Sequence, residues 1–439
     1  MFNKLFLLSL AVILVVGSII GAGCTPSAEP EPEVQTPEAP EAKPIVLGWL
    51  LSLTGPFAAM ALDINKPISH LVDYTNDNGG INGHPIEIIV TDSESDATKS
   101  VMAAKRLITQ DDIHMLLGDV ATGNTIPVGL AAAELKTPHL AHSGAEVFFT
   151  QMKEAGEQAE YWNFGGVVMQ GLFMEQMTVA GRITESLGTK VAVLYPDTSF
   201  GKAMVGAYKA MAAPPFGLDI IVEKSYPADA TSFGPQIAAI KAEPDLEVIT
   251  FHGADFATAL CATALKNVGI TLPIVTYHSA ATPAILEIEQ VRNAYAMDPA
   301  VYIIGCAPDC WESLPADDPR LASLKKWNTM NQEFFGEKLF HVYNAYAYGT
   351  FNIITAIWEK LLEEQPDILD KDIATIRSAA RDTIETIDPV TISAGIINYS
   401  PEKHGYVTPG TAYMGMRYKY PPTYEYMPGF EATTPPWRQ

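Results

Sequence analysis

Ile45-Val46-Leu47-Gly48-Trp49-Leu50 is a short apolar run, and Thr54-Gly55-Pro56 follows it closely. An apolar run of this length that ends in turn residues predicts a buried strand. A helical pattern then covers residues 58–76 and ends at Asn78-Gly79-Gly80. A buried strand followed by a helix is the repeating unit of a parallel sheet that has helices on both faces.

The same alternation continues along the chain and then restarts. The first series of predicted strands and helices comprises residues 86–91, 97–110, 115–118, 125–135 and 139–141. The second series comprises residues 171–187, 191–195, 201–211, 220–224, 233–241, 248–251, 257–268, 274–277 and 301–305. Long helical patterns follow at 343–363 and 372–386, whereas the tail from Tyr399 is rich in Pro and Tyr and has little periodicity. Two series in 439 residues predict an α/β chain with two doubly wound parallel-sheet lobes.

The composition limits the classes of partner. Hydrophobic residues make up 48% of the chain and charged residues 18%, which suits large buried cores. The formal net charge is −23, and a field of that sign repels nucleic acid backbones and anionic lipid headgroups. We therefore expect neither nucleic acid nor an anionic membrane surface as a partner.

The N-terminus carries an export signal. An uncharged run at residues 5–23 follows Lys4, and Gly21-Ala22-Gly23-Cys24 places small residues before a cysteine. This stretch resembles a bacterial lipoprotein signal peptide of residues 1–23, with Cys24 as the lipidated first residue, although Gly21 stands where such signals usually have Leu. The alternative is an uncleaved membrane anchor. Both interpretations place the remaining chain outside the cytoplasm, on the outer face of the membrane or in the periplasm.

Residues 24–44 differ in composition from the rest of the chain, because Pro and Glu alternate along them. Such a segment buries little apolar surface, and its prolines favour an extended polyproline II conformation. We interpret it as a tether, which at about 3.1 Å per residue would hold a domain roughly 60 Å from its anchor.

The cysteines do not predict a structural metal site. Cys24, Cys261, Cys306 and Cys310 lack the paired spacing of zinc ligands. In an oxidising compartment Cys306 and Cys310 would close a small disulfide loop, and the alternative is a pair of buried thiols.

Three loops of the first series combine small residues with hydroxyl groups. They are Ser52-Leu53-Thr54-Gly55-Pro56, Gly118-Asp119-Val120-Ala121-Thr122-Gly123 and Ala141-His142-Ser143-Gly144-Ala145, and each follows a predicted strand. Ligands of open α/β sheets bind at this end of the strands, where backbone N–H groups near helix N-termini suit a carboxylate or carbonyl oxygen. The same residues also serve as ordinary turns and helix caps.

An ordered series of short motifs resembles the Leu/Ile/Val-type periplasmic binding proteins of ABC transporters. The motifs are Thr54-Gly55-Pro56-Phe57-Ala58, Asn78-Gly79-Gly80-Ile81-Asn82-Gly83, Asp92-Ser93-Glu94-Ser95-Asp96, Pro196-Asp197-Thr198-Ser199-Phe200-Gly201 and the segment 395–405. The resemblance implies a type I periplasmic binding protein fold, with two lobes joined by a three-strand hinge near residues 162–166, 303–307 and 389–396. Lobe 1 would comprise residues 45–164 and 305–390, and lobe 2 residues 165–304 and 391–439.

The resemblance also implies a ligand site between the lobes. Thr122 and Ser143 fall where the family holds the ligand carboxylate, Thr54 and Met60 line the cleft wall of lobe 1, and Phe200 stands where a tyrosine usually covers the ligand.

The chain departs from the family at three further positions of that site. Ala145 replaces a hydroxyl-bearing contact, and His278 stands where amino-acid binders use an acidic group for the ligand ammonium. Asp255, in a loop that replaces an aromatic one, is a candidate for the missing acid. Because a neutral histidine offers one donor and one acceptor, His278 favours a ligand with a carboxylate or amide and no α-amino group.

The predicted function is solute capture by hinge closure, and the predicted partners are a small-molecule solute and an ABC transporter permease. We expect a monomer without a cofactor or metal. A lipoprotein that feeds its ligand to a separate signalling receptor is the alternative. Convergence of His142, His252 and His278 would instead favour zinc. Enzyme motifs such as G-x-S-x-G, H-E-x-x-H and the P-loop are absent from the sequence.

Overall fold

The computed structural model describes residues 42–167, 169–253, 256–336, 341–419 and 423–431. The predicted signal peptide, the lipidation site Cys24 and most of the tether lie outside these residues, and so does Asp255. Within the described ranges, no helix is both long enough and apolar enough to cross a bilayer.

The first sheet is parallel, with strand order β2-β1-β3-β4-β5. Its strands are β1 (Ile45–Leu51), β2 (Ile86–Asp92), β3 (Met115–Leu117), β4 (His139–Ala141) and β5 (Asn163–Gly165). The helices of this region are α1 (Ala58–Asn65), α2 (Ile68–Asp77), α3 (Ala97–Thr109), α4 (Thr122–Glu134), α5 (Ala145–Ala155) and α6 (Glu157–Trp162). Leu47 and Trp49 of β1 pack into the main core, while Leu50 joins a second core cluster with Leu107 and Val128. Burial on both faces explains why β1 is continuously apolar.

The second sheet has a parallel part formed by the next five strands, which are β6 (Lys190–Pro196), β7 (Asp219–Tyr226), β8 (Val248–Phe251), β9 (Ile274–Tyr277) and β10 (Tyr302–Cys306). Helix α7 (Leu172–Leu187) precedes these strands, and the helices between them are α8 (Ser199–Ala207), α9 (Gly234–Ala242), α10 (Phe256–Asn267), α11 (Pro283–Leu286) and α12 (Glu289–Ala296). A π-helical turn, Tyr208–Ala212, continues α8, and a 3-10 turn, His278–Ala280, follows β9.

Later helices return the chain to the first sheet. They are α13 (Ala307–Cys310), α14 (Leu321–Phe335), α15 (Val342–Glu364) and α16 (Ile373–Ile384). Helix α15 packs against α1, α2 and α16. Arg377 of α16 donates hydrogen bonds to the backbone carbonyls of Ile108 (2.8 Å) and Ile113 (2.9 Å), so it fastens α16 to the first lobe.

The final strands complete both regions. A small antiparallel sheet contains β11 (Val390–Ile392), β12 (Gly395–Ser400) and β13 (Lys403–Val407). It contacts the end of β5, where the chain passes from the first large sheet towards the second. There the Tyr399 hydroxyl donates a hydrogen bond to the Gly165 carbonyl at 2.7 Å. Strands β14 (Tyr413–Lys419) and β15 (Thr423–Glu431) then extend the second sheet, which has the order β15-β14-β10-β9-β8-β6-β7.

Buried carboxyl groups accept hydrogen bonds from backbone N–H groups near the places where the chain passes between the two large sheets. Glu175 of α7 accepts hydrogen bonds from the N–H groups of Gly410 (2.7 Å) and Ala412 (2.8 Å), and its burial raises its pKa to about 7. Glu146 of α5 accepts from the N–H of Gly171 at 2.7 Å and so joins the first lobe to the start of α7.

The predicted fold class, two α/β regions built on parallel sheets, is confirmed, but several details differ. The predicted helix at 58–76 is two helices, because Pro67 lacks an N–H and crowds the preceding turn. Helices α5, α6, α11, α12, α13 and α14 were not predicted. The tail forms strands rather than an irregular segment, and β14 pairs antiparallel with β10 at the edge of an otherwise mainly parallel sheet.

Candidate functional site

The loops after β1 and β3 are organised around Asp119. Its side chain is fully buried and accepts hydrogen bonds from Ser52 Oγ (3.0 Å), Ser100 Oγ (2.8 Å) and Asn124 Nδ2 (3.0 Å). It also accepts from the N–H of Val120. Because all of these donors lie in or beside the loops at the strand ends, Asp119 fixes the shape of that edge. Sequence analysis placed Asp119 in a loop and gave it no role.

Thr122 and Ser143 lie together at this edge. Their hydroxyl oxygens are 3.0 Å apart, and both residues are partly exposed. Thr122 opens the 13-residue helix α4, and Ser143 lies two residues before the 11-residue helix α5. The first N–H groups of a helix have no intrahelical acceptor and carry partial positive charge. Two hydroxyls and two helix N-termini therefore make this edge a wall of hydrogen-bond donors, which we call the donor wall.

The other predicted residues of the first lobe are arranged differently. Thr54 is exposed, but its N–H and hydroxyl donate to the carboxylate of Asp92 at 3.2 and 2.8 Å, so this hydroxyl already has an acceptor. Met60 is half-buried and packs against the main core. Ala145 is the first residue of α5.

Phe200 lies in the first turn of α8 in the second lobe, and its side chain is 36% exposed. Asp255, the candidate for the missing acid, is outside the described residues. Phe200 thus presents an uncovered ring at the carboxyl end of β6.

His278 follows β9 directly and is buried, with 8% of its surface exposed. The Nδ1 atom of its ring has no hydrogen-bond partner among the described residues. Burial lowers the pKa of His278 to about 4, so the imidazole is neutral at neutral pH.

Two tyrosine rings border His278. The Tyr343 ring meets it edge-on at a centroid distance of 5.7 Å, and the Tyr413 ring lies nearly parallel to it at 6.2 Å. We call His278, Tyr343 and Tyr413 the aromatic wall.

The start of α15 is anchored beside the aromatic wall. Asp309 accepts hydrogen bonds from the N–H groups of Cys306 (3.0 Å) and Val342 (2.8 Å), and its burial raises its pKa to about 7. His341 Nδ1 accepts from the N–H of Tyr343 at 3.2 Å. Sequence analysis predicted this helix but gave Tyr343 no role in the site, although its side chain lies next to His278.

The other two histidines of the zinc hypothesis have separate environments. His142 is buried edge-on to Trp49 at 5.3 Å, and neither ring nitrogen has a partner among the described residues. His252 bonds to Thr250 Oγ1 and to the hydroxyl of Tyr277, each at 3.1 Å. The part of the chain that the structure describes contains no group of three or more His, Cys, Asp or Glu side chains that would hold a metal ion.

The two neighbouring cysteines are free and buried in the structure. Cys310 Sγ lies 3.3 Å from Met414 Sδ, and Cys306 forms the cap of the short helix α13. The region is thus packed as two thiols, without a disulfide.

Two surface depressions lie elsewhere. One of about 710 Å³ is lined by residues that include Tyr161 and Arg377, and one of about 540 Å³ by residues that include Tyr195 and Lys202. Neither is lined by a predicted ligand-binding residue, so the donor and aromatic walls do not enclose either of them.

Comparisons with known proteins connect these features to a family. The sequence matches the periplasmic binding protein family over residues 44–361. A curated relative, Leu/Ile/Val-binding protein homolog 3 of Brucella melitensis, is 26% identical over 235 residues, which is 52% of this chain and 59% of the relative. The match thus spans little more than half the length of that relative.

Solved structures share the fold at low sequence identity. An extracellular ligand-binding receptor from Rhodopseudomonas palustris HaA2 has a TM-score of 0.74 and 20% identity, covering 88% of this chain and 99% of the other. A Streptococcus pneumoniae branched-chain amino acid transporter substrate-binding protein, in complex with isoleucine, has a TM-score of 0.67 and 16% identity (88% and 99% covered). An R. palustris ABC transporter solute-binding protein, in complex with 4-hydroxybenzoate, has a TM-score of 0.67 and 16% identity (87% and 95% covered).

The family match covers well over half of the chain, and the structural matches share its type I architecture. Members of this family bind solutes outside the cytoplasm and are not enzymes. The chain belongs to the periplasmic binding protein family, among proteins related to the branched-chain amino acid binders of ABC transporters.

Proposed function

We propose that this protein is the solute-binding component of an ABC importer and that it binds a small solute carrying a carboxylate or amide between its lobes. The observation that carries the proposal is the pair of hydroxyls of Thr122 and Ser143, 3.0 Å apart at the starts of two helices. Such an arrangement offers several donors to one anionic or carbonyl oxygen.

The ligands of two structural relatives support a carboxylate. One relative is in complex with isoleucine and the other with 4-hydroxybenzoate. These two molecules share a carboxylate and differ in almost everything else. A donor wall of the kind seen here would serve either ligand, because it reads only the group that they have in common.

Capture would proceed by closure of the hinge. The lobes, divided as predicted at 164/165, 304/305 and 390/391, would approach when a ligand touches both walls, because that ligand binds the closed state more tightly than the open one. The ring of Phe200, 36% exposed, would then cover the ligand. The closed form would dock on the permease, and Cys24 would keep the protein on the membrane through its lipid.

Titration calorimetry of the purified protein tests the proposal, with butyrate, benzoate, leucine and glutamine as carboxylates and butyramide as an amide. We expect at least one of these solutes to bind with an affinity better than millimolar. Ser143→Ala should weaken that binding by about 1 kcal/mol, roughly fivefold, because it removes a neutral hydrogen bond. Thr122→Val should act in the same direction.

Thr329→Ala is a matched control, because Thr329 is a helical hydroxyl on α14 that bonds only to its own helix at Lys325. The affinity of this variant for the solute should equal that of the wild type. Unchanged affinity in both Ser143→Ala and Thr122→Val would exclude the donor wall as the carboxylate site.

A further inference from the structure

We infer that the groove between α4, α6 and α16 is a second ligand site, which takes a small aromatic anion such as an aryl carboxylate or an aryl phosphate. The anionic group would lie against Arg377 and Lys136, and the flat ring against Tyr161 and Trp162, all of which line the groove. Its volume of about 710 Å³ lies within the roughly 300–1,000 Å³ typical of small-molecule sites. The groove shares no residue with the donor wall, so this site is independent of the proposed function.

The groove and the donor wall lie at opposite edges of the first sheet. Leu135 and Lys136 follow the C-terminus of α4, whereas Thr122 opens that helix, and its 13 residues separate the two ends by about 18 Å. Tyr161 and Trp162 end α6 and directly precede β5, so they lie at the amino end of that strand. A ligand in the groove would therefore not compete with a solute at the donor wall.

Arg377 is a buried arginine whose hydrogen-bonding capacity is only partly used. Its exposed fraction is 7%, and Nε and Nη2 donate to the backbone carbonyls of Ile113 and Ile108. A guanidinium has five N–H donors, so these two bonds leave three N–H groups without an acceptor among the described residues. Because the two bonds fix the guanidinium plane, the remaining donors are held in place for a ligand.

The other buried arginines that the structure describes have acidic partners. Arg320 pairs with Asp318 at 2.5 Å, and Arg381 pairs with Glu385 on the same helix as Arg377. Arg377 has no carboxylate within ion-pair distance in the described ranges. A buried charge is costly unless it is paired, so an anionic ligand would supply what the fold provides for the other two.

The electrostatics of the groove agree with an unpaired cation. Burial lowers the pKa of the Arg377 guanidinium, and the exposed carboxylate of Asp112 offsets this effect only in part. Burial and, second, the charge of Arg377 lower the pKa of the buried His114 to about 4. The other charged residues that line the groove are Lys136 and Glu157, both exposed, so two cations face one anion there. The groove therefore favours a negatively charged ligand.

Tyr161 supplies a flat surface that is already fixed. It is 40% exposed, although its hydroxyl donates to Asp382 at 3.0 Å and the guanidinium of Arg381 lies 3.5 Å from its ring centroid. The Trp162 ring meets it edge-on at a centroid distance of 5.3 Å. An exposed ring that is held in one position loses little side-chain entropy when a ligand packs on it. This surface explains why the expected anion carries an aromatic ring.

The test is acetylation of Lys136, measured by peptide mass spectrometry of the purified protein, with benzoate, phenyl phosphate and the neutral benzamide as probes. We expect at least one of the two anions to slow the acetylation by about threefold, which corresponds to a probe concentration about twice the dissociation constant. Benzamide should leave the rate unchanged. Lys241, which is exposed on α9, is the internal control and should keep its rate with every probe. Ser143→Ala should keep the protection of Lys136, because the donor wall takes no part in it.

Ala374→Glu tests the site without removing an existing bond. Ala374 is exposed in the first turn of α16 and lines the groove, and it lies three residues before Arg377 on that helix. Side chains at this spacing are neighbours, so the new carboxylate would replace the anionic group of the probe. We expect Lys136 to lose its protection and the melting temperature to rise above that of Ala374→Gln. That neutral variant of equal length is the matched control, and it should keep the protection.

Several results would overturn the inference. Neither anion protecting Lys136, or benzamide protecting it equally, would mean that the groove does not bind anions. Equal slowing at Lys241 would show a general effect of the added salt. Loss of protection in Ser143→Ala would place the anion in the cleft between the lobes, and equal protection in Ala374→Glu and Ala374→Gln would show that the anionic group does not lie beside Arg377.

Discussion

The donor wall and the aromatic wall are built by opposite means. The donor wall consists of hydroxyls and helix N-termini around Thr122 and Ser143, held by the buried carboxyl group of Asp119. The aromatic wall consists of a buried histidine bordered by two tyrosine rings. Backbone donors at helix N-termini are available to many sequences, whereas a surface of this kind depends on a few side chains. The donor wall therefore depends more on the backbone, and the aromatic wall more on the identity of its side chains.

The largest expected effect concerns the support of the donor wall. Asp119→Ala removes the acceptor of Ser52, Ser100 and Asn124. Ser52 keeps a contact with Ser93 Oγ at 3.0 Å, but the buried side chains of Ser100 and Asn124 lose this acceptor. The free energy of unfolding should fall by about 3 kcal/mol, measured by urea denaturation. Asp96→Ala is the control, since this exposed residue caps α3 through one bond to the N–H of Lys99, and should cost only about 1 kcal/mol. Equal losses in the two variants would mean that Asp119 does not organise the wall.

A second experiment compares the buried histidines of the two regions. Burial lowers the pKa of His142 to about 3 and that of His278 to about 4, both below the usual value of about 6.5. Below pH 6.5 each takes up a proton only in the unfolded chain, so the stability that it contributes is complete above pH 6.5 and falls as the pH decreases toward the folded-state value.

His142→Phe should remove the part of the stability loss at low pH that comes from this histidine of the first lobe. At pH 7.5 its stability should be close to that of the wild type, because neither ring nitrogen has a described partner. At pH 5.0 the variant should exceed the wild type by about 2 kcal/mol. His278→Phe should share the gain at low pH, because burial lowers the pKa of His278 as well. Parallel pH profiles of the wild type and His142→Phe would show that His142 is solvated in the folded protein.

The smallest expected effect concerns the cover of the ligand. Phe200→Ala should weaken binding of every solute by about 1 kcal/mol through lost apolar contact, while the melting temperature stays close to that of the wild type. Met297→Ala is the control, because Met297 is comparably exposed, at 44%, beyond the end of α12. A weakening by Phe200→Ala that is restricted to one ligand would assign Phe200 to recognition rather than to closure.

Much of the fold could be predicted because its strands are buried on both faces. The predicted strands at 248–251 and 274–277 coincide with β8 and β9, where every residue is buried. The antiparallel strands β14 and β15 were missed because their Pro, Gly and Tyr residues obscure any simple alternation. Pro67 indicates the break before α2. Because the helical pattern continues on both sides of it, a single helix was predicted.

The site could be predicted only where its residues lie in recognisable local sequence patterns. The pairing of Thr122 with Ser143 follows from loops at adjacent strand ends, and the structure brings their hydroxyls together. The burial of His278 beside Tyr343 and Tyr413 depends on residues far away along the chain, which no local pattern reveals. Asp119 acquires its partners from three separate segments, and Tyr343 has the helical spacing of an ordinary core residue. Whether these residues bind the solute stays a prediction.

The route of the chain through the first lobe has a consequence for how the protein folds. Arg377 donates to the carbonyl of Ile113, which lies 264 residues earlier, and α15 packs against α1 and α2, which lie early in the chain. The region that is synthesised first must therefore wait for nearly the whole polypeptide before these contacts form. Nascent chains shorter than about the end of α16 would leave the surfaces of α1 and α2 that α15 contacts open to chaperones, so the lobe that begins the molecule is among the last parts to become stable.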